Sequence, residues 1–435
     1  MGKKIIAWLL ACFVLCGGGA LAAQPVLESP SACLMDAETG QILYELDAQT
    51  ERPMASITKT MTALLILEQG DLTATTVATA EAINSVDLQS TRVGFEPGEQ
   101  LKVDTLMYCM LVYSANDAAN ILACYLDGNL QSFVDRMNAR AQELGCTHTH
   151  FANPNGLDAD GHYSCAEDMA RITRAANQHA EFATYSSAVS YELPADNVIP
   201  SGWRVDTRVN MFKTDDPLYD ARVYAAKTGW TTNAHNTFVA CGKSDKAHLI
   251  VSVLGCPLKS GIFTDTTALL NYGEQCYQTC TVTADDYKKA AKKAARRADC
   301  RIDADALSDF SLYLPTGMDA DDLAYTCEVT QEGAQLAVCI AKNSRAAYTA
   351  VTNLDGAQTL LRLPLTLEKA PDEAAGSAVP EETEPAGGFW QLLRAAGTVA
   401  LVVAGAAALL LVLLFLLGLY RHIRRRKKRR KRRKR

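Results

Sequence analysis

Strand patterns at both ends of one region, with helical patterns between them, constrain the fold of this chain most strongly. Residues 32–46 alternate apolar and turn residues, which predicts a β-hairpin. Further strands are predicted near the other end of the region, and helical spacing of apolar residues fills the interval. One sheet formed from both ends and covered by helices fits this order. The later strands are predicted at 224–226, 237–240 and 248–254, and the helices from Ser56 onwards, over 106–126 and over 130–144.

Both ends of the chain carry membrane-targeting patterns. Residues 1–23 combine a basic start, an apolar run and a small-residue cleavage site, which predicts a secretory signal peptide. A retained N-terminal anchor and a lipoprotein signal at Cys16 are the alternatives. Near the other end, the run 395–420 contains no charged residue. At ~1.5 Å per residue this run reaches about 39 Å, enough to cross a ~30 Å hydrocarbon core.

A cluster of basic residues follows the uncharged run. In 421–435, 13 of the 15 residues are Lys or Arg, and such charge stays on the cytoplasmic side of a membrane. We therefore expect an exported body, one transmembrane helix over 391–420 and a cytoplasmic tail that contacts anionic lipid. Without these 13 charges the net charge of −6 becomes −19. An acidic body argues against nucleic-acid binding, and the absence of a Gly-rich phosphate loop argues against nucleotide chemistry.

Composition divides the expected exported body into two domains and a linker. Residues 24–278 hold the hairpin, the helices and the later strands. Short strand-like segments then predict a small β-rich domain over 279–370. Within it, 288–297 is a basic, alanine-rich stretch to which the sequence assigns no structure. Residues 371–390 are rich in Pro, Glu, Ala and Gly, which is typical of a flexible spacer.

Cysteine and histidine spacing predicts no metal site. Cys276 and Cys280 have no second matching pair nearby, and the seven histidines form no ligand triad. His148 and His150 are predicted to lie in a surface loop. Of the 14 cysteines, two leave with the signal peptide, so 12 remain. The sequence leaves open whether these form disulfides or stay as buried thiols.

Three short motifs together indicate a nucleophilic site. Ser56 and Lys59 form an S-x-x-K motif, whose spacing on a helix places the hydroxyl and the amine on one face. A serine needs a base to become a nucleophile, and a lysine can serve when burial lowers its pKa. One S-x-x-K match is expected by chance, so the hypothesis depends on the other two motifs. These are Ser114-Ala115-Asn116 and, on a predicted strand, Lys227-Thr228-Gly229.

S-x-x-K, S-x-N and K-T-G in this order are the signature set of penicillin-recognising serine enzymes. Over 32–273 the chain resembles the D-alanyl-D-alanine carboxypeptidases of bacterial wall synthesis, the low-molecular-weight penicillin-binding proteins. The resemblance includes the residues flanking the first two motifs and two further stretches, 151–157 and 162–166. It implies an α+β fold of the serine transpeptidase and β-lactamase type, in which an antiparallel sheet has helices on both faces.

The resemblance also implies a role for each residue of the first two motifs. Ser56 would attack the carbonyl of the penultimate D-Ala of a wall stem peptide and form an acyl-enzyme, with Lys59 as its base. Ser114 would relay protons towards the leaving amine, and Lys227 would lie against Ser114. Asn116 would hydrogen-bond the substrate amide. β-Lactam antibiotics would acylate the same serine.

The remaining roles concern the strand that carries K-T-G. Thr228, with Lys227, would hold the terminal carboxylate of the peptide, and Gly229 would let the strand approach the substrate. The backbone N–H groups of Ser56 and Trp230 would form the oxyanion hole. No metal or organic cofactor is expected, because the serine and lysine supply nucleophile and base.

Two positions depart from the pattern of these relatives. Ile262 stands where many of them carry an arginine that helps bind the carboxylate, so Lys259 would substitute, or Thr228 and Lys227 would suffice. His235 stands where a glycine is usual.

Two alternative functions remain at the level of sequence. A class A β-lactamase shares the three motifs but uses an additional glutamate to activate water, and no equivalent is found between Ser114 and Lys227. A non-catalytic module that binds wall peptides or β-lactams would need neither a nucleophile nor two amines.

Overall fold

The computed structural model describes residues 24–369, except 196, 199–201, 298–299, 303–306, 331–332, 353 and 366. The predicted signal peptide, linker, transmembrane helix and basic tail lie outside the described residues. Among the helices that are described, none has the length and apolar character needed to cross a bilayer.

A five-stranded antiparallel sheet is formed from both ends of the region, as the order of sequence patterns predicts. Its strands are β1 (Ser31–Asp36), β2 (Ile42–Leu46), β7 (Val223–Thr231), β8 (His235–Lys243) and β9 (His248–Cys256). Their order across the sheet is β2-β1-β9-β8-β7. The predicted hairpin is confirmed as β1 and β2, and the three later strands are confirmed as β7 to β9.

Four short strands form two two-stranded antiparallel sheets between β2 and β7. These are β3 (Thr75–Val77) with β4 (Gln100–Lys102), and β5 (Ser190–Leu193) with β6 (Trp203–Asp206).

Helices cover both faces of the sheet, as the resemblance implies. The α-helices of this part are α1 (Lys59–Gln69), α2 (Ala80–Asn84), α3 (Val103–Tyr108), α4 (Asn116–Asp127), α5 (Leu130–Glu143), α6 (Ala166–Asn177), α7 (Ala180–Ser186) and α8 (Gly261–Cys276). Because side chains alternate along a strand, Ile250 of β9 joins the core that contains α1 and α6, whereas Leu249 joins the core that contains α8.

The single helix predicted over 106–126 is wrong. The chain forms α3, a π-helix over Cys109–Tyr113, a break at Ser114 and then α4. Ser114 has a left-handed φ of 69°, which no helix continues. On an unbroken helix, residues two apart do not share a face, so Ser114 and Asn116 could not both face one cleft. The break removes that restriction.

The predicted β-rich region contains strands and two helices. Its stretch 288–297, left unassigned by the sequence, belongs to helix α9 (Ala284–Arg297), and α10 covers Arg345–Thr352. The strands are β10 (Tyr277–Val282), β11 (Cys300–Ile302), β12 (Phe310–Pro315), β13 (Leu323–Thr330), β14 (Gly333–Ile340), β15 (Thr359–Leu365) and β16 (Leu367–Lys369). They surround a hydrophobic cluster of their own that includes Leu336 and Tyr348.

This region contacts the hairpin of the main sheet directly. The Gln41 amide donates to the backbone carbonyl of Tyr313 at 2.7 Å and accepts its N–H at 2.8 Å. The Tyr277 hydroxyl donates to the carbonyl of Leu43 at 2.5 Å. The cysteines of the described residues whose side chains can be placed are all unpaired thiols.

Candidate active site

Ser56 lies in a turn of 3-10 helix, Ala55–Thr58, which leads directly into α1. In a 3-10 helix, side chains three residues apart eclipse one another, so the hydroxyl of Ser56 and the amine of Lys59 are aligned. Ala55 takes a left-handed φ of 50°, a strained conformation for a residue with a side chain. The hydroxyl of Thr58 holds this conformation by donating to the carbonyl of Ala55 at 2.8 Å.

A glycine packs against the nucleophile turn from the side of the loop 152–157. A Cβ added at Gly156 would lie 2.1 Å from the carbonyl oxygen of Ala55, and Gly156 has a φ of 88°. Only glycine fits this position without moving the turn.

Lys59 is fully buried and makes three close contacts through its Nζ. The amine lies 2.9 Å from Ser56 Oγ, 2.6 Å from Asn116 Oδ1 and 2.5 Å from the carbonyl of Asn155. The latter two atoms can only accept, so they take two N–H bonds. In the neutral amine, the nitrogen lone pair is then left to face the hydroxyl of Ser56.

Charge and burial favour that neutral form. Burial lowers the pKa of Lys59 well below its usual range, and the Lys227 cation lowers it further. The carboxylate of Asp117 opposes these effects. A lysine with a lowered pKa beside a serine hydroxyl can accept the hydroxyl proton.

Lys227 and Ser114 form the second pair. Lys227 Nζ lies 2.9 Å from Ser114 Oγ and donates to the carbonyl of Thr228 at 2.6 Å. Burial, and then the Arg208 cation, lower the pKa of Lys227 to about 7. Ser114 is therefore held in its left-handed conformation next to an amine that can hold or release a proton near neutral pH.

Strand β7 passes very close to the nucleophile. A Cβ added at Gly229 would lie 2.9 Å from the backbone N of Ser56 and 2.3 Å from Thr237 Oγ1. The hydroxyl of Thr237 donates to the carbonyl of Met54 at 2.8 Å, which ties β8 to the same turn. The glycine of K-T-G thus allows β7 to pack closely against the turn that carries Ser56.

A cavity of about 610 Å³ opens over these groups. Its wall includes residues from all three motifs, namely Ser56, Ser114, Thr228 and Gly229, and it also includes Trp230. The Trp230 side chain is 65% exposed and stands at the rim. The structure thus brings together the residues that the sequence nominated, with Lys59, Asn116 and Lys227 buried beneath the wall.

The cavity wall is cationic in the region where the sequence departs from its relatives. Ile262 lies in the wall and is buried, while Arg208, Lys213 and Lys259 line the same cavity. No carboxylate is among the described residues that line it. Arg208 stacks over the ring of Tyr113, with its guanidinium carbon 5.0 Å from the ring centroid. His235, in the place of the usual glycine, adopts a left-handed φ of 55°.

Sequence reasoning missed two buried residues that position the site. The Asp117 carboxylate accepts four backbone N–H bonds, three from residues 93–95 and one from Ala118. It thereby fixes the loop that holds Thr91 at the cleft. Asp117 directly follows the S-x-N motif, and this adjacency was the signal that the sequence offered.

The second missed residue is His162. Its Nδ1 accepts from the backbone N of Ala152, and its Nε2 lies 2.9 Å from Thr58 Oγ1. Because Thr58 donates its own proton to Ala55, His162 must donate from Nε2, which makes it a neutral imidazole. Burial lowers the pKa of His162 to about 4. His162 thus joins the nucleophile turn to the loop whose Asn155 carbonyl contacts Lys59.

The fold and this site define the class of serine hydrolases in which a buried lysine lies against the serine hydroxyl. Comparison with known proteins gives the particular family. The sequence profile of the D-alanyl-D-alanine carboxypeptidase family, peptidase S11, matches residues 19–257, more than half of the chain. The chain belongs to this family and is a serine-type D-Ala-D-Ala carboxypeptidase.

Curated relatives agree with that assignment. D-alanyl-D-alanine carboxypeptidase DacF of Bacillus subtilis is 28% identical over 300 residues, which cover 68% of this chain and 75% of DacF. DacC of Escherichia coli is 31% identical over 60% of this chain and 66% of its own length.

Solved structures give the same fold. A D-alanyl-D-alanine carboxypeptidase from Mycobacterium tuberculosis matches with a TM-score of 0.52 and 28% identity, over 59% of this chain and 94% of that one. Penicillin-binding protein 6B of Escherichia coli matches with a TM-score of 0.57 over 80% of this chain and 98% of its own. The latter is 24% identical and supports the fold alone.

Proposed function

We propose that the chain removes the terminal D-Ala from wall stem peptides through an acyl-enzyme on Ser56, with Lys59 as the base. Ser56 Oγ attacks the carbonyl of the penultimate D-Ala while its proton passes to Lys59 Nζ. The backbone N–H groups of Ser56 and Trp230 would stabilise the oxyanion, a contribution worth ~3–4 kcal/mol for one donor.

One observation carries this proposal: the set of three contacts that Lys59 Nζ makes. Two of them are permanent acceptors, Asn116 Oδ1 and the carbonyl of Asn155, and the third is the hydroxyl that must lose its proton. A solvated lysine would be protonated at neutral pH and could not act as a base.

The second pair completes the reaction. The proton that Lys59 took from Ser56 is passed through Ser114 Oγ to the leaving amine of D-Ala as the peptide bond breaks. Lys227 orients the hydroxyl of Ser114. Water then attacks the ester on Ser56, which releases the shortened peptide and restores the hydroxyl. Asn116 would also bind the substrate amide.

We infer that the terminal carboxylate of the peptide is held by Thr228 together with Lys259 and Arg208. Ile262 offers no charge, and Lys227 already contacts Ser114 and Thr228. Lys259→Gln should raise the KM for a peptide ending in D-Ala-D-Ala and leave the KM for its C-terminal amide unchanged. The exposed Lys243→Gln is the matched control. Equal effects on the acid and the amide would contradict this role.

We further propose that the catalytic body is exported and anchored by one C-terminal transmembrane helix, with the basic tail in the cytoplasm. The signal-peptide pattern of 1–23 and the uncharged run 395–420 support this topology. β-Lactams would act as inhibitors by acylating Ser56.

The decisive experiment follows D-Ala release by the full chain from a peptide ending in D-Ala-D-Ala. Wild type and Ser308→Ala, an exposed serine in the small region, should release D-Ala at equal rates, and Ser56→Ala should release none. Mass spectrometry after penicillin treatment should find a stable adduct on Ser56. Release by Ser56→Ala at the wild-type rate would refute the mechanism, and rapid loss of the adduct would favour a β-lactamase.

A further inference from the structure

Helix α9 presents a basic face to solvent that the catalytic reaction does not use. Its exposed residues include Lys289, Lys292, Lys293 and Arg296, which recur at helical spacing and so lie on one side. We call these four residues the basic face. The opposite side of α9 is buried and apolar, formed by Tyr287, Ala291, Ala294 and Ala295.

The basic face is not neutralised within the part of the chain that the structure describes. The ion pair found on α9 joins Lys288 to Asp285 at 3.7 Å, and neither residue belongs to the face. Among the side chains that the structure describes, no carboxylate pairs with these four cations. In a body whose net charge is strongly negative, four unpaired cations on one helix side are a distinct surface.

The chain leaves the described region next to this helix. Strand β11 begins three residues after the end of α9, and it pairs with the last described strand, β16. Cys300 lies opposite Lys369 in that pairing. Opposite residues of an antiparallel pair have Cα atoms only ~4.5–5.5 Å apart. The C-terminal end of α9 is therefore close to the point from which residues 370 onwards continue.

The sequence beyond that point limits how far the basic face can be from a bilayer. The spacer 371–390 has 20 residues, and a flexible chain of that length has an end-to-end distance of about 25 Å. The uncharged run 395–420 follows. Charges act on a membrane surface only within a Debye length of ~8–10 Å, so a short tether matters.

We propose that the basic face of α9 docks on the anionic phospholipid headgroups of the membrane that anchors the chain. This inference rests on the proposed membrane topology. Docking would fix the orientation of the catalytic body over the bilayer rather than leave it free on its spacer. A soluble phosphodiester polymer of the wall could also offer negative charge, but the short path from α9 to the anchor favours lipid.

Lysine footprinting of the full chain in vesicles tests the proposal. The chain is reconstituted into phosphatidylcholine vesicles with or without phosphatidylglycerol, and acetylation rates are read by mass spectrometry. Lys289, Lys292 and Lys293 should react at least about threefold more slowly when phosphatidylglycerol is present, and 0.5 M salt (on the order of a 3–5 Å Debye length) should remove the effect. The exposed lysines Lys102, Lys243 and Lys246 are internal controls and should not change.

Three results would overturn the proposal. They are equal rates for the α9 lysines in both vesicles, protection by added polyglycerol phosphate but not by anionic lipid, and loss of the protein from the vesicles on flotation. Catalysis is scored separately. The Lys289→Gln/Lys292→Gln/Lys293→Gln variant should release D-Ala from a soluble peptide at the wild-type rate, and Ser56→Ala should keep the wild-type footprint. A failed mechanism and a failed docking surface therefore give different results.

Discussion

Gly156→Ala should damage catalysis much more than stability. The new Cβ would lie 2.1 Å from the carbonyl oxygen of Ala55, and real Cβ contacts essentially never fall below 3.0 Å. The loop and the nucleophile turn must therefore separate by at least 0.9 Å. Because Asn155 in the same loop contacts Lys59, both the nucleophile and its base would move. A displacement of ~1 Å at reacting groups can cost ~10²-fold in rate.

A matched variant separates this displacement from backbone strain. Gly145 has a φ of 74° and no atom within 4 Å of an added Cβ, so Gly145→Ala carries the strain without the clash. Left-handed conformation costs a residue with a side chain ~1–2 kcal/mol, which corresponds to a loss of roughly 2–8 °C in Tm.

The assay compares acylation by a fluorescent penicillin, D-Ala release and thermal unfolding for both variants. Gly145→Ala should keep wild-type rates, whereas Gly156→Ala should acylate about 100-fold more slowly. If Gly156→Ala acylates at the rate of Gly145→Ala, the packing of this loop does not position Ser56 and the argument fails.

Three further predictions use the charges around the site. Arg208→Gln removes a cation that lowers the pKa of Lys227 and of Lys59. Both pKa values should therefore rise, and the acid limb of the kcat/KM profile should move to higher pH. A move to lower pH would contradict this prediction. Asp117→Asn removes the carboxylate that raises the pKa of Lys59, so the acid limb of the kcat/KM profile should move to lower pH. The free energy of unfolding should also fall by at least ~3 kcal/mol, because the backbone N–H bonds to this side chain are weakened. His162 has a pKa of about 4 in the folded chain against ~6.5 in the unfolded chain. Its contribution to the free energy of unfolding is therefore complete above pH ~6.5, and about 3 kcal/mol is lost as the pH falls towards 4. His162→Gln should flatten the dependence of Tm on pH in that window, and an unchanged slope would count against the argument.

The main sheet could be predicted because its signals are local. Alternating and continuous apolar runs fixed the hairpin at 32–46 and the strands after 223, and nothing in the tertiary structure overrides them. The helix over 130–144 was predicted correctly for the same reason, since its buried residues recur at helical spacing. The basic stretch 288–297 was not assigned, because its apolar side consists mostly of alanine and gives a weak hydrophobic signal.

The break at Ser114 could not be read from apolar spacing. The sequence predicts one helix over 106–126, whereas the left-handed turn at Ser114 is stabilised by a contact from far along the chain. Lys227, 113 residues later, supplies the hydrogen bond to Ser114 Oγ. Local propensity does not encode a strained conformation that distant groups stabilise.

Three short motifs define the chemistry available to the chain, because they supply a serine, two lysines and an asparagine in an order that identifies the family. Apolar patterns likewise predict the order of strands and helices that forms one covered sheet. Which groups contact one another depends on the folded chain. Two acceptors occupy the N–H bonds of Lys59 and leave its third contact to Ser56. Asp117 and His162 are buried next to the site, and cations line the cavity together with Ile262. Motif spacing does not specify these contacts, because pKa values and hydrogen-bond directions depend on burial and on neighbours distant in sequence.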